Sequence, residues 1–566
     1  MKYCAALVLN QYYWKDKNLI FFNRTIHSLS KEYIKNKNVK LKKNFNISKK
    51  KQIDLDSFFK KKFIYYKKQL IFKLNKSHNL DENEIYWGKI IDIWLIEIII
   101  LIKIRYEELK FYSKNNSFYL NVIDKIQSPY LSNYIYQKAN YSSDLNQFIF
   151  SKISDVLKIP KKKIINNNCS INEKNKRNKL DKLINFFILS YVKLFKPVVL
   201  IDSYFNFKDK IKIFLLSRGK IIFFNSKYFF NIKNDNINVD LKRRLFFNFE
   251  EKDNFDKIFN LIIFYLLPLS FLENFKLIKK KISNYSRDVK KIGTATCVFS
   301  CDFYNVLVAE MYKNKKKSIL FAHGENDEIR TYDLRNSLAI KNSDLHITFG
   351  NKNGYGISGI RRLNSLFNIK KKENILYICQ TNHIHRFTTF RQLKDFEFSL
   401  NRDSRFYSNL DKKIKSKLIL RISPTGHKYE DKTNFAEDII KDKHNGVRLD
   451  PYTNIKKLFL RSIVVVSTYI STNVFEALYL DKPTILICNL DDYSFNPKAL
   501  SFFTKFKNAG ILYNNPEKAA LFLNKNISSI DIWWQSRKIR EIISIFKTEY
   551  CVDNKYSCEL LIKKIL

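Results

Sequence analysis

The chain is expected to fold as an α/β protein: two doubly wound, Rossmann-type domains facing a cleft, preceded by a helix-rich N-terminal part. Three observations lead there. Short, continuous apolar runs rich in β-branched residues recur through the later two thirds of the 566 residues, and hydrophobicity that is continuous rather than alternating marks strands buried on both faces of a parallel sheet. Stretches with apolar residues at helical spacing separate those runs, the rhythm of β-α-β crossover units. Composition permits large cores: 45% of residues are hydrophobic and 15% aromatic, and with only 11 Gly and 9 Pro no long flexible tether is expected.

In chain order, residues 1–9 are apolar for too few positions to be an export signal and read as a first strand. Residues 56–75 and 85–112 carry apolar positions at helical spacing, so the first third is expected to pack as helices. The Ile-rich stretch 88–104 contains Lys89, Asp92, Glu97 and Lys103, and 258–271 falls short of the roughly 18 residues a membrane span needs. Both read as buried helices, so any membrane association is peripheral. The polar stretch Lys161–Lys182 reads as a loop or boundary. After it, VVLID (198–202), the helical IKIFLLSR and KIIFF (220–224) form a β-α-β signature. A helical stretch at 255–290, Gly293-Thr294-Ala295, a helix near 302–313 and strands at 318–323 and 345–349 follow. Apolar strands at 374–380, 417–423, 462–468, 483–488 and 509–513 fill the last third. The expected division is an acceptor-side part, 1–365 (helix-rich 1–183, α/β 184–365), and a nucleotide-side domain, 366–566, with terminal helices.

Lys and Arg number 102 against 54 Asp and Glu, a net charge of +48. The lysines are scattered along the whole chain together with abundant Asn, Ile, Phe and Tyr, as A/T-rich codon usage produces. No nucleic-acid partner is expected on that ground. A basic surface suits anionic lipid headgroups or a phosphorylated substrate. The eight cysteines read as reduced, mostly buried thiols. Neither Cys297/Cys301 nor Cys551/Cys558 has a second pair at zinc spacing, so no metal site is expected.

Three segments carry candidate chemistry. His323-Gly324 ends a buried strand, where an imidazole faces the crevice and the glycine lets backbone approach a ligand. His323 is therefore the candidate general base or phosphate contact, and Glu325 and Asp327 either orient it or are ordinary loop acids. The run from Ser467 to Leu478 places Ser471, Thr472, Asn473 and Glu476 at a helix start, where free N–H groups and the helix dipole suit a phosphate. Simple capping by Ser471 or Thr472 is the competing reading. Arg421, His427 and Lys428 follow a strand and could neutralise a diphosphate or a sugar carboxylate, or belong to a solvated loop. The His-x-His of Asn382–Arg386 has similar standing. Gly354, Gly356 and Gly359 match a dinucleotide fingerprint but start too far beyond their strand, with no acid after the next one. They read as a hinge between the sheets.

The run Ser467–Asn489, then Ala509–Tyr513, Pro516–Ala520 and Asp531–Trp534, resembles a family of bacterial surface-polysaccharide transferases with a two-domain GT-B fold. The likeness continues in Trp14-Lys15-Asp16, Lys76-Ser77-His78, Trp87-Gly88-Lys89 with Trp94, Gly293-Thr294-Ala295, His323-Gly324 and Ser343-Asp344. More distantly the chain is similar to glycerol-phosphate polymerases and capsule sugar transferases. The resemblance implies a cytoplasmic enzyme, peripheral at the inner membrane, that moves a sugar from a nucleotide-activated donor to a cell-surface glycan or lipid-linked glycan, with no further cofactor. It implies His323 as catalytic residue and Ser471, Thr472 and Asn473 as donor-phosphate contacts. Where the family pattern has a second glycine after His-Gly, this chain has Glu325-Asn326, which drift in composition or a changed acceptor would explain. A CDP-glycerol-type polyol-phosphate transferase would use the same parts. A basic nucleic-acid-binding protein and an inactive glycan-assembly scaffold are the alternatives from other classes.

Overall fold

Three parallel sheets succeed one another along the chain. The computed structural model describes residues 3–8, 10–22, 34–43, 45–114, 116–123, 142–164, 179–226, 239–324, 329–331, 333–348, 350, 372–379, 396–421, 448–450, 453–550 and 557–566. The first sheet consists of β1 (Tyr3–Ala6), β2 (Asn18–Phe21), β3 (Asn38–Leu41), β4 (Phe118–Val122) and β5 (Lys161–Lys163), in the order β3-β2-β1-β4-β5. The helix-rich N-terminal part thus contains a sheet of its own, beyond the single strand expected there. Its strands are only 3 to 5 residues long, and the edge strands NVKL and KKK are largely solvent-facing, so they lack the apolar run that announces a buried strand. For the same reason Lys161–Lys163, read as boundary, is an edge strand.

Two long helices follow β3 in the chain. Helix α1 (Lys49–His78) starts at Ser48, whose side chain accepts the Lys51 N–H, and ends at Asn79 in the left-handed region. Helix α2 (Glu84–Ser113) is buried along most of its length, because it lies between α1 and the helices of the second sheet. Its buried charges are paired: Asp92 accepts from Lys67 at 3.0 Å, and Glu97 meets Arg335 at 2.5 Å. Among the described residues no helix is long and apolar enough to cross a membrane.

The second sheet holds β6 (Val198–Ile201), β7 (Ile221–Phe224), β8 (Lys291–Thr294), β9 (Lys317–Phe321) and β10 (Leu345–Ile347), ordered β10-β9-β8-β6-β7. Helix α3 (Lys179–Phe195) leads into it and α4 (Phe207–Leu216) joins β6 to β7. The third sheet holds β11 (Asn374–Ile378), β12 (Leu418–Arg421), β13 (Arg448–Leu449), β14 (Ser462–Ser467), β15 (Thr484–Ile487) and β16 (Leu512–Tyr513), ordered β13-β12-β11-β14-β15-β16. Helix α5 (Phe396–Ser408) covers β11, and α6 (Thr472–Tyr479) joins β14 to β15. In both sheets every pairing is parallel and strand order reverses beside the first strand, between β6 and β8 and between β11 and β14. This is the doubly wound topology expected, and such reversals open crevices at strand C-terminal ends. The last helix, α7 (Ser557–Ile565), was expected with the third sheet. It packs on the second instead, with Leu561 and Ile565 in one core with Val198, Leu200 and Ile213.

All six described cysteines are free, and burial pushes the Cys4, Cys301 and Cys488 thiols up to about 12. They are inert packing groups.

Two features of the framework are open to measurement. A Cβ on Gly293, in the middle of β8, would meet Leu200 Cδ2 at 2.6 Å and Ile319 Cβ at 3.2 Å. Gly293→Val is expected to lower the unfolding free energy by about 1–3 kcal/mol in denaturant titrations. His78 is buried, with Nε2–H donating to the Phe271 carbonyl at 2.8 Å and Nδ1 without a partner among the described residues. Burial, first, lowers its pKa from 6.5 to about 4. The unfolded chain then binds more protons between those values, so stability is full above pH 6.5 and falls by about 3 kcal/mol as pH drops to 4. In pH-dependent unfolding, His78→Gln should flatten that slope.

Candidate functional site

The second and third sheets turn their strand C-terminal ends towards each other. Gly324 follows β9 and Thr472 follows β14, and a Cβ placed on Gly324 would lie 3.1 Å from Thr472 Oγ1. Further along, residues 329–331 cross to the third-sheet domain as a short antiparallel bridge. Thr331 N–H donates to Ser494 O at 2.9 Å, and Asn496 N–H donates to Ile329 O at 3.0 Å. Ile329 is fully buried in one core with Ile470 and Tyr493. The Arg330 guanidinium lies 5.0 Å over the Tyr493 ring. From the N-terminal layer, Gln52 Nε2 donates to Ser494 Oγ at 2.9 Å.

On the second-sheet wall stands His323, exposed, its ring stacked on Tyr204 at 5.3 Å and 29°. Tyr204 comes from the turn after β6, in which Asp202 and Tyr204 both take left-handed backbone conformations, φ 46° and 57°. L-residues hold that region at a cost of order 1–2 kcal/mol each. Asp202 fixes the turn by accepting from Ser226 N–H at 3.2 Å and from Cys297 Sγ–H at 3.3 Å. The turn thus lies at the strand-order reversal of the second sheet.

The opposite wall is the start of α6. Ser471 stands at the cap position with extended backbone, yet its side chain makes no capping bond, and its Oγ is buried without a partner among the described residues. Simple capping by Ser471 is therefore not what the structure shows. Thr472 faces Gly324, Asn473 is half-buried, and Glu476 is buried one turn further in. Thr468 N–H donates to Ile378 O, which ties the approach to the helix onto β11. Ile470 N–H donates to Tyr493 Oη at 3.3 Å.

Arg421 ends β12 in register with Ile378, and its Nη1 donates to Asp450 O at 2.9 Å. Burial lowers its pKa while Asp450 opposes the shift. Sequence reasoning missed Arg402. It lies on the buried face of α5 one turn before Phe406, whose ring stacks on Tyr377 of β11. Because α5 runs back along the strand, that turn carries Arg402 towards the strand's C-terminal end. Its side chain is 6% exposed, Nε reaches Asp403 Oδ1 at 3.1 Å, and Nη1 and Nη2 have no partner among the described residues. Burial drives the Tyr493 hydroxyl pKa up, and the charges of Arg402 and Arg330 oppose it, so both guanidiniums bear on the ring that holds Ile470. The detectable signal was an arginine at an apolar position of a helical pattern, Leu400-x-Arg402-x-x-x-Phe406. Glu325, His427 and Lys428, the His-x-His of 382–386 and the glycines of 354–359 lie outside the described residues.

Two Rossmann-type sheets with strand ends opposed across a shared crevice define a GT-B-like fold. The chain matches the LIC12162 family transferase over residues 7–565 and belongs to that family; it is a transferase. No curated protein matches it in sequence. Solved structures similar to it include S. aureus MnaA with UDP (11% identity, 65% of this chain and 96% of that one, TM-score 0.36). A. baumannii MurG is another (8%, 65% and 99%, 0.33), as is Anabaena HepE in complex with UDP and glucose (10%, 66% and 99%, 0.34).

The close approach of Gly324 to Thr472 makes a test of the cleft. Gly324→Leu is expected to force the two edges apart and raise the radius of gyration in small-angle scattering. Gly324→Ala, whose methyl Thr472 can accept by rotating, should leave it unchanged.

Proposed function

We propose that this transferase is a glycosyltransferase, moving a sugar from a nucleotide-activated donor to a cell-surface polysaccharide or lipopolysaccharide acceptor at the cytoplasmic face of the inner membrane. One observation carries the reading: Ser471 Oγ and two of the three guanidinium nitrogens of Arg402, Nη1 and Nη2, are buried and without partners among the described residues, on the wall of the crevice that faces His323. Leaving buried polar groups unpaired costs about 1–3 kcal/mol each, more when charged. Such a cost is tolerable where a ligand supplies the partner. The helix start and a guanidinium together suit a phosphate.

In this reading the donor lies on the side of residues 366–566, its phosphates against Ser471, Thr472 and Asn473, with Arg402 and Arg421 supplying charge. The acceptor enters from the side of residues 1–365. His323 takes the proton of the acceptor hydroxyl as its oxygen attacks the anomeric carbon, and the carbon–oxygen bond to the phosphate breaks with its electron pair going to the nucleotide. Charge on the departing phosphate grows in this step, and fixed donors aimed at it lower the barrier. The helix tip and the guanidiniums perform this neutralisation, so the reading assigns no cofactor beyond the donor itself.

Thermal shifts with UDP-, GDP-, CMP- and CDP-linked donors test it. A donor at about 100 times its Kd should stabilise the fold by about 2.7 kcal/mol. Ser471→Ala and Arg402→Lys should weaken that shift. His323→Ala should keep it while turnover falls about 10²- to 10⁴-fold. Stabilisation by CDP-glycerol alone would assign polyol-phosphate transfer instead, and no shift with any donor would overturn the reading.

A further inference from the structure

The turn that ends β6 carries side chains where glycine would cost the backbone least. Asp202 and Tyr204 hold left-handed conformations, φ 46° and 57°, a region that glycine adopts freely and other residues do not. A bulky ring there is an outlier, and such outliers persist under tight restraint and cluster where a side chain serves a ligand. The restraint is visible. Asp202 N–H donates to Phe224 O at 3.0 Å, the Asp202 carbonyl accepts Ala295 N–H at 3.4 Å, and its carboxylate accepts Ser226 N–H and Cys297 Sγ–H. Phe205, next after Tyr204, packs against the Phe223 and Phe321 rings at 5.6 and 5.5 Å. Tyr204 is thus clamped from both sides in the chain, yet it stays 39% exposed.

Sheet order puts this turn where a ligand can reach it. Strands β6 and β9 flank β8, with Ile201 beside Thr294 and Thr294 beside Leu320. Tyr204 beyond β6 and His323 beyond β9 therefore meet over the end of β8, ring on ring, at the strand-order reversal of the second sheet. Between the two strained residues lies Ser203, 6% exposed, its Oγ buried without a partner among the described residues. From 202 to 206 the chain reads Asp-Ser-Tyr-Phe-Asn, with a carboxylate, two hydroxyls and an amide but no cation. A pyranose has a face of C–H groups and a rim of hydroxyls, which suit an aromatic ring beside uncharged hydrogen-bonding groups. An acyclic polyol phosphate has no such face, and its charge would meet the Asp202 carboxylate.

We propose that Tyr204 and Ser203 form the acceptor's sugar subsite: a terminal pyranose packs on the Tyr204 ring, Ser203 Oγ bonds one of its hydroxyls, and another hydroxyl comes to His323. Tyr204 then makes the enzyme choose a sugar ring over an open-chain polyol. The delivery of a hydroxyl to His323 for transfer rests on the glycosyltransferase reading, whereas pyranose binding at the turn does not.

Saturation-transfer NMR of the full chain tests the subsite without a donor. The probes are the methyl pyranosides of glucose, galactose, mannose and N-acetylglucosamine, with glycerol 3-phosphate and uridine beside them. At least one pyranoside is expected to bind, with saturation strongest at the C–H protons of one ring face. Tyr204→Asn removes the ring but keeps a residue that tolerates the left-handed backbone, and it should weaken that binding about tenfold, while Tyr204→Phe retains it. Ser203→Ala, a smaller change, should weaken it about fivefold. A cooperative melting transition confirms that each variant folds. No binding by any pyranoside, equal binding by the wild type and the Asn and Ala variants, or stronger saturation of glycerol 3-phosphate or uridine than of every pyranoside would each overturn the proposal. A donor-induced thermal shift in the same protein would then leave the glycosyltransferase reading standing. Pyranoside binding that Tyr204→Asn weakens, with no shift from any donor, would overturn that reading and leave the subsite in place.

Discussion

The crossing of residues 329–331 onto 494–496 is the constraint from which the geometry of the cleft follows. Two parallel sheets joined end to end have no intrinsic reason to oppose their C-terminal edges. Here the chain leaves β9 through His323-Gly324 and is then pinned to the other domain by two backbone hydrogen bonds and a fully buried Ile329. Arg330, sandwiched against Tyr493, adds a cation–π contact worth about 0.5–2 kcal/mol. With that segment fixed, Gly324 has little freedom to leave Thr472, and the strand-order reversals of both sheets open into the same space.

Pairing of buried charge elsewhere makes the exceptions in the cleft informative. Arg244 meets Glu273 with two hydrogen bonds, at 2.6 and 2.9 Å, in a fully buried fork. Asp92 accepts from Lys67 and Asn342, and Asp256 accepts from Lys62. The chain therefore can satisfy interior ions where it needs only stability. Arg402 departs from this pattern: it spends one nitrogen on Asp403 and leaves two without partners among the described residues. A fork held by one edge and open at the other is pre-organised for a planar or tetrahedral anion, because its rotamer freedom is already lost before a ligand arrives.

The second and third sheets were legible because their strands are continuous β-branched runs, and VVLI, SILF, NILYI and SIVVVS lie where hydrophobicity puts them. The first sheet was not, since Asn38–Leu41 and Lys161–Lys163 are edge strands whose side chains face water and carry no apolar signature. Gly324 and Thr472 were each readable as single-site features of a strand end and a helix start. Their proximity was not, because it depends on the path of the crossing segment. Arg402 stayed hidden for another reason: in so lysine- and arginine-rich a chain a basic residue at an apolar helical position is a weak signal, and what distinguishes it is burial with two nitrogens unpartnered among the described residues. His78, part of a family-like motif, turns out to be a packing residue that bonds a carbonyl from the far side of the core.

The N-terminal layer acquires a role from where its contacts fall. Lys89 donates to the Asn342 carbonyl at 2.7 Å, Asn342 donates to the Gly88 carbonyl at 3.0 Å, Glu97 pairs with Arg335, and Gln52 reaches Ser494. All four land on the helix that directly follows the crossing segment or on the strand-like stretch that receives it. The buried helix α2 thus braces the crossing from behind, and α1 braces it from the receiving side. The first sheet with its two long helices is a large structure for that purpose, but its size has a physical reason. Holding one short three-residue bridge against thermal opening requires a support that does not itself bend, and a helix buried along most of its length inside a packed core is such a support. Changes deep in α2, far from His323 and Ser471, would therefore be felt in the cleft through Arg330 and Tyr493 and not through any contact with a ligand.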